Sequence, residues 1–181
     1  MLLRKFCDPD NKRAKLLSKR RPGGHFSKEI FQKTDRETQD FLLTSACLPA
    51  MSVATVQELT GNEASGRILA NLNHNHFFTE RHASADAVYQ YHSLFREFLL
   101  VRAKRTLSSL TIVRIQRKAA KLLEASGQAE DAAEIYRESN DWQSLITLIL
   151  SHAQLLVMQG RSSTLEGWIL AVPDTIRATD P

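Results

Sequence analysis

The sequence predicts a mainly α-helical chain interrupted once by a short hairpin, on three observations. Apolar residues recur at helical spacing through most of its 181 residues. One interval, residues 77–91, changes period and turns aromatic and β-branched. Capping residues and Gly or Pro breaks divide the remainder into short helices. A chain of this length makes one domain or two small ones, and 43% apolar residues suffice for a buried core.

Charge is unevenly distributed. Residues 1–28 hold nine Lys or Arg and two Asp, a balance of +7, whereas the remainder holds fifteen basic and eighteen acidic residues, a balance of −3. Residues 1–25 therefore read as a basic disordered leader, closed by the linker-like Pro22-Gly23-Gly24. Lys12, Arg13, Lys15, Lys19, Arg20 and Arg21 are its candidates for non-specific nucleic-acid contact through phosphates. No run approaches the roughly 18 apolar residues of a membrane span, and no secretory signal is present. Cys7 and Cys47 fit no disulfide or metal framework, so the expected setting is cytoplasmic and reducing, away from membranes.

The elements follow in order. Residues 26–34 form a short helix with Phe26, Ile30 and Phe31 inward. Asp35 caps the next, which carries Phe41, Leu42 and Ala46 and stops before Pro49. Ser52 caps a third, with Val53, Val56 and Leu59 at helical spacing and Gly61 as its break. Residues 64–73 make a fourth, with Ile68, Leu69 and Leu72 inward. Strands over 77–80 and 87–91 then flank a polar turn at 81–86. Helices, a two-stranded hairpin and another helix, in that order, predict a winged helix over residues 26–106.

Residues 107–181 predict an α-helical-hairpin repeat segment. Ser108 or Ser109 caps a helix carrying Ile112, Val113, Ala119, Ala120 and Leu123, closed by Gly127. Ala129, Ala132, Ala133 and Tyr136 share one face of the next. Asp141 caps a helix with Trp142, Leu145, Ile146 and Ile149. A separate helix through Leu155 and Leu156 ends at Gly160, and the last groups Leu165, Trp168, Ile169 and Val172. Gly127 and Gly160 stand 33 residues apart, a spacing of stacked helical repeats. The last helix has nothing after it to cover its outer face, so self-association through it is expected, in a chain that reads as cut from a longer one.

The most informative stretch runs from Tyr91 to Leu100. Set on a helix, Tyr91, Leu94, Phe95, Phe98 and Leu99 make one apolar stripe, with His92 and Arg96 on a ridge beside it. His92 falls where a strand hands over to a helix, whose first N–H groups lack partners and favour anions. Two roles stay open from the residues alone: His92 caps the helix or satisfies a neighbour, or it donates to a phosphate. Other chemistry has no constellation. There is no Gly-rich phosphate loop with its Lys, no nucleophile elbow and no Cys-x-x-Cys. His74 and His76 stand two apart without further ligands, so no metal, catalytic residue or enzyme activity is expected.

Thr38-Gln39-Asp40-Phe41-Leu42-Leu43, Leu59-Thr60-Gly61, the hairpin and above all Tyr91-His92-Ser93-Leu94-Phe95-Arg96-Glu97-Phe98-Leu99 resemble the MalT-like ATP-dependent transcriptional regulators of the LuxR family. Met158-Gln159-Gly160-Arg161 and Trp168-Ile169-Leu170-Ala171-Val172-Pro173 resemble the first tetratricopeptide-like helices of the same proteins. The resemblance covers about residues 26–178 and is most specific in the Tyr91 motif, where Ser93 replaces the usual Pro. It implies a signal-transduction NTPase fragment: a regulatory and interaction module that couples the nucleotide state of an absent NTPase domain to an inducer-sensing solenoid. It also implies that His92 and Arg96 sense the ADP phosphate in the intact protein. ATP and ADP belong to that parent, DNA is contacted by a domain absent here, and this chain itself needs no cofactor. The leader matches nothing in that family. The alternative is a stand-alone DNA-binding winged helix with residues 64–73 as recognition helix. That helix offers only Arg67 as a charged donor, beside Asn71 and Asn73, with Glu63 before it.

Overall fold

The structure is a computed structural model describing residues 22–75, 79–82 and 87–177. The six leader cations and Cys7, together with His76, Phe77 and Phe78, lie outside the described residues. The first helix, α1 (Pro22–Lys33), starts earlier than the sequence predicts and takes in Pro22-Gly23-Gly24. Pro suits a first helical turn, because its fixed φ and missing N–H cost nothing there. Ile30 and Phe31 are buried, and the Phe31 ring meets Phe98 edge-on at 5.9 Å. Helix α2 (Arg36–Ser45) follows directly, with the Asp35 carboxylate accepting from the Thr38 N–H at 2.8 Å. Gln39 Nε2 donates to the Phe31 and Thr34 carbonyls and fixes the corner between α1 and α2.

A two-residue strand, β1 (Met51–Ser52), leads into α3 (Val53–Thr60), which is capped by Ser52 and ended by Gly61 at φ 69°. Helix α4 (Ser65–His74) buries Ile68, Leu69 and Leu72 as the spacing predicts. The wing is β2 (Thr79–His82) against β3 (Val88–Tyr91), with Thr79 opposite Tyr91 and His82 opposite Val88. Arg81 and His82 therefore belong to a strand and not to the turn. Among the described residues the sheet has three strands in the order β1-β3-β2, all antiparallel, where the sequence predicts two. A strand of two residues has too little pattern to be read, and only its pairing of Met51 with Tyr89 and of Ser52 with Val88 defines it.

Helix α5 (Ser93–Thr106) packs on α1 and α2. Behind it come α6 (Ser109–Ala125), α7 (Ala129–Glu138), α8 (Trp142–Met158), α9 (Ser162–Ala171) and the short α10 (Asp174–Arg177). Residues 142–158 form one helix where two were expected. The polar interval Ser151-His152-Ala153-Gln154 holds no breaker, and the Ser151 hydroxyl folds back to the Leu148 carbonyl. The last long helix is also followed by another, α10. Starts and ends of α8 and α9 repeat those of α6 and α7 at an offset of 33 residues. The chain is thus a mainly α winged helix followed by helical segments.

One hydrophobic core runs from Ile30 and Phe41 through Phe95 and Leu99 to Ala119, Leu123, Tyr136 and Leu148. Val113 stays exposed although it shares a face with Ala120. A helix advances about 1.5 Å per residue, so the ten residues of α7 leave the first turns of the seventeen-residue α6 uncovered. Leu155 and Ile169 are exposed as well, whereas Leu156 and Val172 are buried. No described helix is long and apolar enough to cross a membrane.

Candidate functional site

The junction of β3 and α5 is built from both sides. Tyr91 is the last residue of β3, not part of the helix, and it is buried. Its hydroxyl lies 2.8 Å from Ser45 Oγ, which donates to the Phe41 carbonyl. Burial pushes the Tyr91 hydroxyl well above its ordinary pKa, so it stays a neutral donor. Two residues into α5, Phe95 is buried with its ring edge-on to Tyr91 at 5.9 Å. Phe95, Leu99 and Ala103 continue the inward line, with Phe98 half-buried beside Phe31.

Leu94 is the correction within the motif. It is 39% exposed, because at 100° per residue it lies at the edge of the arc centred between Phe95 and Leu99. The stripe is therefore narrower than the apolar residues in the sequence.

His92 sits between the two anchors as the N-cap of α5, with φ −54° and ψ 138°. Its carbonyl accepts from the N–H groups of Phe95 and Arg96 at 2.9 and 3.0 Å. Its imidazole makes no capping bond and is exposed, so side-chain capping is not its role. Tyr91 and Phe95 point inward on either side, which leaves the ring facing outward at the positive end of a fourteen-residue helix. Ser93 takes the first helical position that Pro would otherwise hold.

Arg96 is placed differently from His92. Its Nε donates to the Ala46 carbonyl and its Nη2 to the Cys47 carbonyl, both at 3.0 Å. The guanidinium therefore ties α5 to the end of α2, while His92 one turn earlier remains outward. Neither carbonyl had a signal in the sequence, since backbone acceptors 49 and 50 residues away leave no pattern. The Cys47 thiol is buried and its pKa is pushed up to about 12 by that burial, so it is inert packing.

Two more basic residues act as ties, Lys118 between the repeats and the winged helix and Arg117 within the repeats. Lys118 Nζ on α6 donates to the Glu58 carbonyl and, at 3.2 Å, to the Leu59 carbonyl, at the electronegative end of α3. Arg117 Nε donates to Asp141 Oδ2 at 2.8 Å across to the start of α8. Burial works against the Asp141 carboxylate, but its bonds to Arg117 and Ser144 outweigh it and hold the pKa below the usual range.

The recognition-helix candidate, now α4, presents Arg67 and Asn71 to solvent, and Asn71 is engaged by Asn75 Nδ2. Glu63 is exposed just before it. His74 is exposed, and among the described residues no group of three or more His, Cys, Asp or Glu side chains is placed to hold a metal ion.

The MalT winged helix domain family matches residues 27–111. The HTH-type transcriptional regulator MalT of Cronobacter sakazakii is 30% identical over 145 residues, which is 80% of this chain and 16% of that protein. The regulators of the same name from Klebsiella pneumoniae subsp. pneumoniae and from Klebsiella pneumoniae strain 342 are each 28% identical over 145 residues, with the same coverage. The chain thus spans about a sixth of the length of the curated relatives it matches. Its fold is a winged helix followed by helical segments, its relatives are transcriptional regulators, and residues 27–111 are similar to the MalT winged helix domain.

Proposed function

We propose that this chain is a regulatory and interaction module of a MalT-like, LuxR-family, ATP-dependent transcriptional regulator. It couples the nucleotide state of an NTPase domain to an inducer-sensing helical solenoid. It carries out no catalysis itself, ATP and ADP are held by the NTPase domain, and DNA is contacted by a further domain. The observation that carries the reading is His92: an outward imidazole at a helix start, in a motif whose neighbours are fixed by Tyr91, Phe95 and Arg96. A donor at a helix start can meet a phosphate presented by another domain, which favours the ADP-bound state. Arg96 then acts as a positioning residue and His92 alone faces the phosphate. Movement at α5 reaches the repeats through the shared core and the Lys118 contact with α3.

The test restores an NTPase domain by fusion and measures ADP affinity. A charge-assisted hydrogen bond of about 1.5–3 kcal/mol shifts the ratio of states by about ten- to a hundredfold. His92→Ala should weaken ADP retention by that factor and give constitutive signalling. Unchanged ADP affinity in a fusion that binds ADP normally would remove His92 from the switch. The rival DNA-binding reading has its own measurement. Sequence-selective DNA binding by this chain that persists after removal of residues 1–24 would favour it, whereas binding through the leader alone falls steeply with salt.

A further inference from the structure

The C-terminal end of α3 is finished by a residue from outside the winged helix. A helix leaves its last carbonyls without intrahelical partners. In α3 the Gln57 carbonyl accepts from the Gly61 N–H at 2.8 Å. Among the described residues, no backbone N–H reaches the carbonyls of Glu58 or Leu59. Both accept instead from Lys118 Nζ on α6, 60 and 59 residues away. An ammonium group suits that place, since it carries several donors and the helix end is electronegative.

This contact does not come from the repeat pattern. At the offset of 33 residues the equivalent of Lys118 on α8 is Ser151, whose hydroxyl stays within its own helix at the Leu148 carbonyl. Leu107 and Ser108, both extended, are all that separate α5 from α6, yet α6 packs more on α3 than on α5. Beyond the capped end, the chain turns into α4 through a run of polar contacts. The Thr60 hydroxyl accepts from the Asn62 N–H at 3.2 Å, and Asn62 Oδ1 accepts from the Ala64 N–H at 2.7 Å. The Asn62 carbonyl accepts from the Ser65 N–H at 3.2 Å, and Asn62 Nδ2 donates to Glu37 Oε1 on α2 at 3.0 Å. The turn therefore links α2, α3 and α4, and it sets where α4 begins and how its exposed Arg67 and Asn71 are presented.

We infer that Lys118 is a conformational latch between the repeats and the winged helix. With α6 docked, it caps α3 and orders the α3–α4 turn; with α6 displaced, the turn frays and α4 loses its fixed start. The Lys118 side chain is exposed, so the latch can open without uncovering the core. The repeats thereby gain a route into the winged helix that ends at α4. The inference concerns this chain alone and stands whether or not His92 meets a phosphate.

The experiment is amide hydrogen exchange on the full chain, read at Gly61, Asn62, Ala64 and Ser65, whose N–H groups are all bonded in the turn. Lys118→Met keeps the stem and removes the donors. It should speed exchange at these amides by about tenfold or more, the factor for losing a hydrogen bond to a charged group, while β3 and α5 keep their rates. Lys118→Arg, which also offers several donors, should restore most of the protection. At rising, sub-denaturing urea the turn amides of the wild type should open together with those of α6, and in Lys118→Met ahead of them. Unchanged exchange in Lys118→Met overturns the inference. So does loss of fold or a uniform rise across all elements, which makes Lys118 a contributor to global stability only. An Arg variant as unprotected as the Met variant, or wild-type turn amides that follow α2 and not α6, overturns it as well.

Discussion

The Arg96 guanidinium joins two elements through backbone carbonyls alone, donating to Ala46 and Cys47 at 3.0 Å each. Both bonds use the rigid fork of the side chain, which a point-charge ammonium reproduces poorly. Arg96→Ala should therefore lower unfolding free energy by about 1.5–3 kcal/mol, the range for hydrogen bonds to charged groups. Arg96→Lys should recover less than half of it. Urea midpoints measure both, and a Lys variant as stable as wild type would show that charge alone holds the α2 end.

Ser45 and Tyr91 make an asymmetric pair. The Ser45 hydroxyl has one proton and gives it to the Phe41 carbonyl, so the Tyr91 hydroxyl is the donor between them. Tyr91→Phe removes that donor and leaves Ser45 satisfied, at a cost of about 0.5–1.5 kcal/mol. Ser45→Ala strands a buried phenol and should cost more, about 1–3 kcal/mol. Equal losses in chemical denaturation would contradict the assigned donor.

Phe95 and His92 lie three residues apart with opposite roles. Phe95 is fully buried, so Phe95→Ala should cost about 3–5 kcal/mol through the cavity it leaves. His92→Ala removes an exposed ring without a capping bond and should shift the thermal midpoint of this chain little. If the two variants unfold at similar temperatures, His92 has a structural role and the phosphate reading fails.

Acid should weaken the repeat segment through Asp141. Its folded pKa is depressed, so the stability it contributes is present above the unfolded value of about 3.9 and is lost as pH falls through the folded one. Asp141→Asn keeps a capping side chain but loses the Arg117 ion pair. Because Arg117 is about half exposed, the cost at neutral pH should be at most about 1 kcal/mol. The variant's denaturation midpoint should depend less on pH below 5 than that of the wild type. Parallel pH profiles would rule Asp141 out as a source of acid sensitivity.

What the sequence determined by itself is the set of local decisions. Asp35, Ser52, Ser108 and Asp141 each accept the backbone N–H three residues on, because a short side-chain oxygen before a helix has that N–H within reach whatever the fold. Gly127 and Gly160 take positive φ where two helices must each stop and turn, and their spacing carries the repeat. The order of helices and hairpin was legible for the same reason, since period and punctuation act over a few residues. The tertiary structure decided everything that depends on what lies opposite. It made Met51 and Ser52 a strand by pairing them with β3, and it left Leu94 outside the arc that α5 buries. It also engaged Arg96 with carbonyls of α2 while turning His92 outward, although the two stand on one ridge in the sequence. Periodicity names the faces of an element, but only the packed neighbour determines which face is covered and which polar group meets a partner there.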